Sequence, residues 1–189
     1  MRIIAGQLKG KRLKAPRGFD TRPVTDRIKE NLFNIWQMDI VGAKFLDLFA
    51  GSGSMGIEAV SRGAAEVVMV DQSFQAVKTI EANLKSCGVF PQVQILNMEV
   101  LQAIDYLEKA GKGFNIVFID PPFKLPNLAE RVLGRLSGSR LGIEGQIIAR
   151  VRSDHKLPNN FGGLAQYRLI KYGESSIYCF GFKEGGIMV

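Results

Sequence analysis

Along this chain, short apolar runs alternate with segments whose apolar positions recur every three or four residues. Residues 44–49, 66–70, 93–96, 115–119 and 145–151 read as strands, each a brief apolar run bounded by turn residues. Between them, 54–62, 74–86, 99–109 and 126–136 carry helical spacing. An earlier helix opens at Thr25, a hydroxyl N-cap followed by Asp26, and runs through Ile28, Leu32, Phe33 and Trp36. That spacing puts Trp36 in the core. Alternation of strand and helix predicts a parallel, doubly wound sheet. The ending breaks the pattern, because only Gly173-Glu174 separates 166–172 from 175–182, and so short a link forces an antiparallel hairpin. The expected fold is a mostly parallel, seven-stranded α/β sheet finished by a hairpin.

Length and composition fit one globular domain, since 189 residues can bury a sizeable core. No segment approaches a membrane span, and the N-terminus lacks the apolar run of a signal peptide, so a cytoplasmic location is expected. Cys87 and Cys179 are isolated and, with one histidine in the chain, make no usual zinc site; they read as reduced thiols. No metal is expected, and a monomer is. His155, in Ser153-Asp154-His155-Lys156, reads as a surface-loop residue. Residues 158–163 read either as a plain connection or as a flexible loop that touches substrate. The C-terminal glycines read as a frayed end.

Charge changes the picture through its placement. Residues 1–29 hold nine Lys or Arg against two Asp, whereas the rest of the chain holds sixteen of each sign. The segments Arg2-Ile3-Ile4-Ala5-Gly6 and Lys9-Gly10-Lys11-Arg12-Leu13-Lys14 read as a basic β-hairpin turning near Gly10. A basic arm beside a neutral body suits phosphate binding, and Lys9, Lys11, Arg12 and Lys14 are the candidate contacts. The competing reading is a solvated N-terminal extension.

The chemistry concentrates at two strand ends. The run Ile116–Ile119 is apolar without alternation, as in a buried parallel strand, and stops at Asp120-Pro121-Pro122-Phe123. Ligands bind at the carboxyl ends of such strands. There Asp120 can accept from an exocyclic amine, the prolines offer carbonyls without an N–H, and Phe123 offers a face for stacking. An acid, a stiff turn and an aromatic together suit a flat, amine-bearing base. The first strand runs into Gly51-Ser52-Gly53-Ser54-Met55-Gly56, and Asp71 follows twenty residues after Gly51. Glycines at a strand-to-helix turn admit a ligand close to the backbone, and the later acid is placed for ribose hydroxyls. The glycines fit G-x-G-x-x-G literally, so a NAD-dependent oxidoreductase is one reading. Asp47 inside the first strand argues for a cationic ligand instead. S-adenosyl-L-methionine, with a carboxylate, an ammonium and a sulfonium, matches Asp47 and the glycine loop together.

The stretch Phe45–Ala64, the Asp120–Phe123 turn and the opening Met1–Trp36, with Arg22-Pro23-Val24-Thr25-Asp26-Arg27, resemble the RsmD family of bacterial small-subunit ribosomal RNA guanine-N2 methyltransferases. The resemblance extends to Lys171-Tyr172-Gly173-Glu174 and so covers nearly the whole chain. It implies a class I, Rossmann-like methyltransferase fold in a single domain, with residues 1–20 as the basic arm and 21–189 as the catalytic core. By matching position it assigns S-adenosyl-L-methionine to Asp47, Gly51, Gly53 and Asp71, and the target base to Asp120, Pro121, Pro122 and Phe123. Glu99, in Asn97-Met98-Glu99, stands near where such enzymes often place an acid beside the adenine amine. The implied partner is ribosomal RNA or the small ribosomal subunit. Asp-Pro-Pro-Phe is shared with adenine-N6 and other amino-methyltransferases, so a DNA or RNA adenine-N6 enzyme is an alternative. A non-catalytic RNA-binding module is a further one.

Overall fold

The computed structural model describes residues 1–16, 24–36, 38–89, 93–125, 127–142 and 145–183. The Arg22-Pro23 pair, the end of the expected 1–20 arm and the C-terminal glycines 185 and 186 lie outside the described residues. The described residues form a mixed α/β sheet of eight strands, and the chain clusters into two compact units, Met1–Glu99 and Val100–Val189.

In the first unit, β1 (Lys44–Asp47), β2 (Glu66–Val70) and β3 (Val93–Leu96) run parallel, with β2 in the middle. Helices α1 (Asp26–Ile35), α2 (Ser54–Ser61) and α3 (Phe74–Cys87) accompany them. Thr25 caps α1 by accepting from the Ile28 N–H at 3.3 Å, as its position before the apolar periodicity predicts. Helix α1 buries Leu32 and Phe33, and Trp36 joins them against Phe45 of β1. The Phe33, Trp36 and Phe45 rings lie 5.1–6.2 Å apart, so the tryptophan is a core residue. Strand β1 stops at Asp47, two residues short of expectation. There the Asp47 carboxylate accepts from the Phe49 N–H at 3.3 Å, which turns the backbone out of the ladder.

In the second unit, α4 (Val100–Lys109) and α5 (Asn127–Leu136) are joined through Arg135, which pairs with Asp105 and Glu108. Strands β4 (Ile116–Ile119) and β5 (Gln146–Arg152) run parallel, and β8 (Ser175–Phe182) pairs antiparallel with β5. Strand β7 (Leu164–Tyr172) returns against β8 through the Gly173-Glu174 turn. Four residues of β4, Ile116, Val117, Phe118 and Ile119, are fully buried, which explains a run without alternation.

Two expectations need correction. Among the described residues the sheet has eight strands, not seven, because Asn160–Phe161 forms a short β6 on β7. Residues 158–163 are thus neither a plain connection nor a free loop. The N-terminal hairpin is held by a single antiparallel bridge, Arg2 to Arg12, and its turns fall between Gly6 and Lys11 rather than at Gly10 alone. Nor is it a solvated extension. The Ile4 and Ala5 N–H groups donate to the Glu58 carboxylate, Leu8 N–H donates to Ser61 Oγ, and Ile3, Leu8 and Leu13 are buried. A Cβ on Gly6 would lie 1.8 Å from the Ser61 carbonyl oxygen, so only glycine permits this close approach to α2.

Candidate active site

The first unit gathers the glycine loop and its acid. The Gly51 N–H donates to Asp71 Oδ2 at 2.8 Å, and the Ser73 N–H donates to Oδ1 at 2.8 Å. Asp71 stands just past the end of β2, and Asn97, just past β3, donates to its backbone carbonyl. Burial pushes the Asp71 carboxyl above the usual carboxylate range, and the two N–H donors oppose that shift. One acceptor site per oxygen remains after these two bonds, enough for a pair of ribose hydroxyls.

The glycines divide in role. Gly51 has φ +56°, and a side chain there would enter open space. Gly53 has φ +78° and precedes α2, but a Cβ there would press on Met69 and Ile80 at 3.2–3.3 Å. Its hydrogen faces the core, so it shapes the loop instead of lining the open side. Gly56 likewise packs on Met69, whose Cε would lie 2.5 Å from an added Cβ. The literal G-x-G-x-x-G match therefore reflects one open position and two packing positions. Asp47 is buried at the end of β1, and Glu99 is half-buried two residues beyond Asn97.

Lys9, Lys11, Arg12 and Lys14 are all exposed on the docked hairpin. Lys11 also donates from Nζ to the Cys87 carbonyl at the end of α3. Asn83 on α3 was not visible in the sequence as a site residue, yet it bridges hairpin and loop. Its amide exchanges hydrogen bonds with the Lys14 backbone and donates to the Ser52 carbonyl within the glycine loop. Lys29 on α1 makes a second tie, reaching Ser54 Oγ, the Arg2 carbonyl and the Glu58 carboxylate.

The second unit gathers the Asp120–Phe123 turn. Asp120 follows β4 directly, and its side chain is 15% exposed. Arg150 of β5 donates through Nη1 to both Asp120 oxygens, at 3.0 and 2.9 Å. Burial raises the Asp120 carboxyl above its ordinary value, and the Arg150 charge opposes that rise. The Pro122 carbonyl accepts from the Leu125 N–H at 2.9 Å, closing a tight turn. Pro121, Pro122 and Phe123 line a cavity of about 450 Å³ with Lys124, Arg152, Asp154 and His155. His155 is therefore not a plain surface residue. It is half-buried on the cavity wall, with Nε2 3.2 Å from a Glu130 oxygen. Arg150 carries no signal in the sequence, because a lone cation in an apolar strand gives no sign of which side chain it meets.

The model of a family described as Conserved hypothetical protein 95 matches residues 1–181. Ribosomal RNA small subunit methyltransferase D of Escherichia coli is 38% identical over 132 residues, 70% of this chain and 65% of that protein. YlbH of Bacillus subtilis is 37% identical over 177 residues, 94% of this chain and 96% of that one. The chain belongs to the RsmD family. Its fold agrees: the solved structure of yhhF from Escherichia coli superposes with a TM-score of 0.81 at 32% identity, covering 95% of this chain and 96% of that one. The expectation of an RsmD-type, class I methyltransferase fold is thus met. Among the described residues of this RsmD-family chain, no helix is long and apolar enough to cross a membrane.

Proposed function

We propose that this protein transfers a methyl group from S-adenosyl-L-methionine to the exocyclic N2 amine of a guanine in small-subunit ribosomal RNA. The observation that carries the reading is the Asp120 carboxylate, held by Arg150 at the end of β4 and followed directly by the Pro-Pro turn and Phe123, which line a cavity. Membership of a family that includes a ribosomal RNA small subunit methyltransferase supports the substrate class.

The cofactor role falls to the glycine loop and Asp71. Gly51 leaves room for the ligand against the backbone, and Asp71 accepts from the ribose hydroxyls. Asp47 and Glu99 are the further acids assigned to the cofactor's cationic and adenine ends. The base role falls to Asp120–Phe123. The guanine amine is a poor nucleophile, because its lone pair is delocalised into the ring. Hydrogen bonds from the amine to Asp120 and to the Pro121 carbonyl favour a pyramidal nitrogen whose lone pair points at the sulfonium methyl. Bound S-adenosyl-L-methionine would supply the methyl group: the amine would attack in line, the C–S bond would break to give S-adenosylhomocysteine, and the amine's proton would pass to solvent. Alignment of two bound reactants supplies up to about 7–11 kcal/mol of barrier lowering, the largest contribution here. A paired guanine hides this amine, so the target nucleotide must be unpaired or flipped.

The test is Asp120→Ala. Single-turnover methyl transfer should fall by at least about tenfold, the equivalent of one charge-assisted hydrogen bond. Calorimetric cofactor affinity should stay near wild type, since Asp120 acts on the other substrate. A rate within twofold of wild type would refute the role of Asp120.

A further inference from the structure

Arg150 engages the Asp120–Phe123 turn more closely than any strand-pairing role requires. Its side chain is 3% exposed on β5. Nη1 donates to both oxygens of Asp120, and Nε donates to Ser175 Oγ on β8 at 3.2 Å. The guanidinium carbon also lies 4.9 Å from the Phe123 ring centroid, in cation–π range. One planar cation thus touches both groups assigned to the base, while β8 holds it from behind.

Stability alone is a weak reason for such a group. A buried ion pair is costly to desolvate, and an apolar pair of similar volume often serves a fold as well. The geometry suits positioning better. A carboxylate offers about four acceptor sites, and Arg150 occupies one on each oxygen, which leaves acceptors for an amine. The Phe123 ring, backed by the guanidinium, also lines the cavity. We propose that Arg150 is a positioning residue for methyl transfer, holding the Asp120 carboxylate as an oriented, ionised acceptor and the Phe123 ring as a fixed stacking face for guanine. This rests on the reading that Asp120 and Phe123 hold the base.

The charge part of the role has a pH signature. Burial favours the protonated Asp120 carboxyl, and Arg150 opposes it. A protonated carboxyl has lower acceptor capacity, so transfer should fail as pH drops through the Asp120 pKa. Removing Arg150 moves that failure to higher pH. Other charged groups around the turn are Lys124, Arg152 with its partner Asp154, and His155 with Glu130. His155 lines the same cavity as Phe123, so His155→Gln is the control that shows the limb belongs to Asp120.

The experiment is single-turnover transfer to small-subunit ribosomal RNA at saturating S-adenosyl-L-methionine, from pH 5.5 to 9. It compares wild type, Arg150→Met, Arg150→Lys, Asp120→Asn and His155→Gln, with cofactor affinity by calorimetry for each. Arg150→Met should move the acidic limb up by about one pH unit or more, a tenfold loss on the acid side. Arg150→Lys keeps the charge but not the fork, so its rate should drop several-fold with the limb near its wild-type place. Asp120→Asn should lack the limb, and His155→Gln should retain it. An Arg150→Met protein with an unmoved limb would overturn the proposal, whatever its rate. If Arg150→Met does not fold, an Arg150→Lys protein with wild-type rates overturns it equally. Wild-type rates in Asp120→Asn would instead overturn the underlying reading of the base grip.

Discussion

Single residues carry the two proposed ligand roles, and each can be probed alone. Gly51 combines φ +56° with open space where a side chain would project. Gly51→Val should lower S-adenosyl-L-methionine affinity at least tenfold in calorimetry, and the left-handed backbone should cost about 1–2 kcal/mol of stability. Unchanged affinity in a folded variant would contradict the assignment. Asp71 links affinity to pH. Its ionised form is the proposed ribose acceptor and its pKa is raised, so affinity should fall on acidification through that raised value and flatten in Asp71→Asn. The same shift means that folding binds protons at Asp71 between its ordinary and raised pKa. Its own contribution to stability therefore falls as pH rises across that window, opposite in sign to the affinity. Phe123→Ala should cost about 1–3 kcal/mol of transition-state stabilisation, read from kcat/KM. Asp71 and Asp120 were legible in sequence as candidates because each directly follows a buried strand, and Phe123 because it closes the Pro-Pro turn after β4. Arg150 and Asn83 were not, because their partners lie twenty-five or more residues away and only strand register and helix docking bring them together.

Elements show the same division between local and distant information. Seven strands and five helices were readable from periodicity and turn residues, within a few residues at their ends. The two-residue β6 is too short to leave a pattern, and β1 ended early because Asp47 captures the Phe49 N–H. The docking of the basic hairpin was also hidden, since it depends on a buried carboxylate in α2. Glu58 is 0% exposed, accepts from the Ile4 and Ala5 N–H groups, and pairs with Arg62 and Lys29. Burial pulls the Lys29 ammonium below its usual pKa, and Glu58 opposes that shift. Glu58→Ala would strand a buried lysine and two backbone donors, so unfolding free energy should drop by about 3–5 kcal/mol in denaturant melts. Hydrogen exchange at Ile4 and Ala5 should quicken in parallel. A loss under about 1 kcal/mol would show that Glu58 is not the anchor, since removing one partner of a buried pair is strongly destabilising.

For the whole molecule, the exposed cations Lys9, Lys11, Arg12 and Lys14 sit on a hairpin fixed to the unit that carries the glycine loop by Asn83, Lys29 and Glu58. Phosphate contacts from such a surface position RNA with little regard to sequence. Lys11 also serves the fold through Cys87, so the clean variant neutralises Lys9, Arg12 and Lys14 and leaves Lys11 in place. Its RNA affinity should weaken, and the slope of log affinity against log salt should shrink by about 0.7–0.9 for each phosphate no longer neutralised, with cofactor affinity intact. An unaltered slope at unchanged melting temperature would remove the hairpin from the RNA-binding surface. Purified protein should be given labelled S-adenosyl-L-methionine with free small-subunit ribosomal RNA and with assembled subunits, and the RNA digested to nucleosides. Label in N2-methylguanosine, absent with Asp120→Ala, is the predicted result; label in N6-methyladenosine, or none in either substrate, would contradict it.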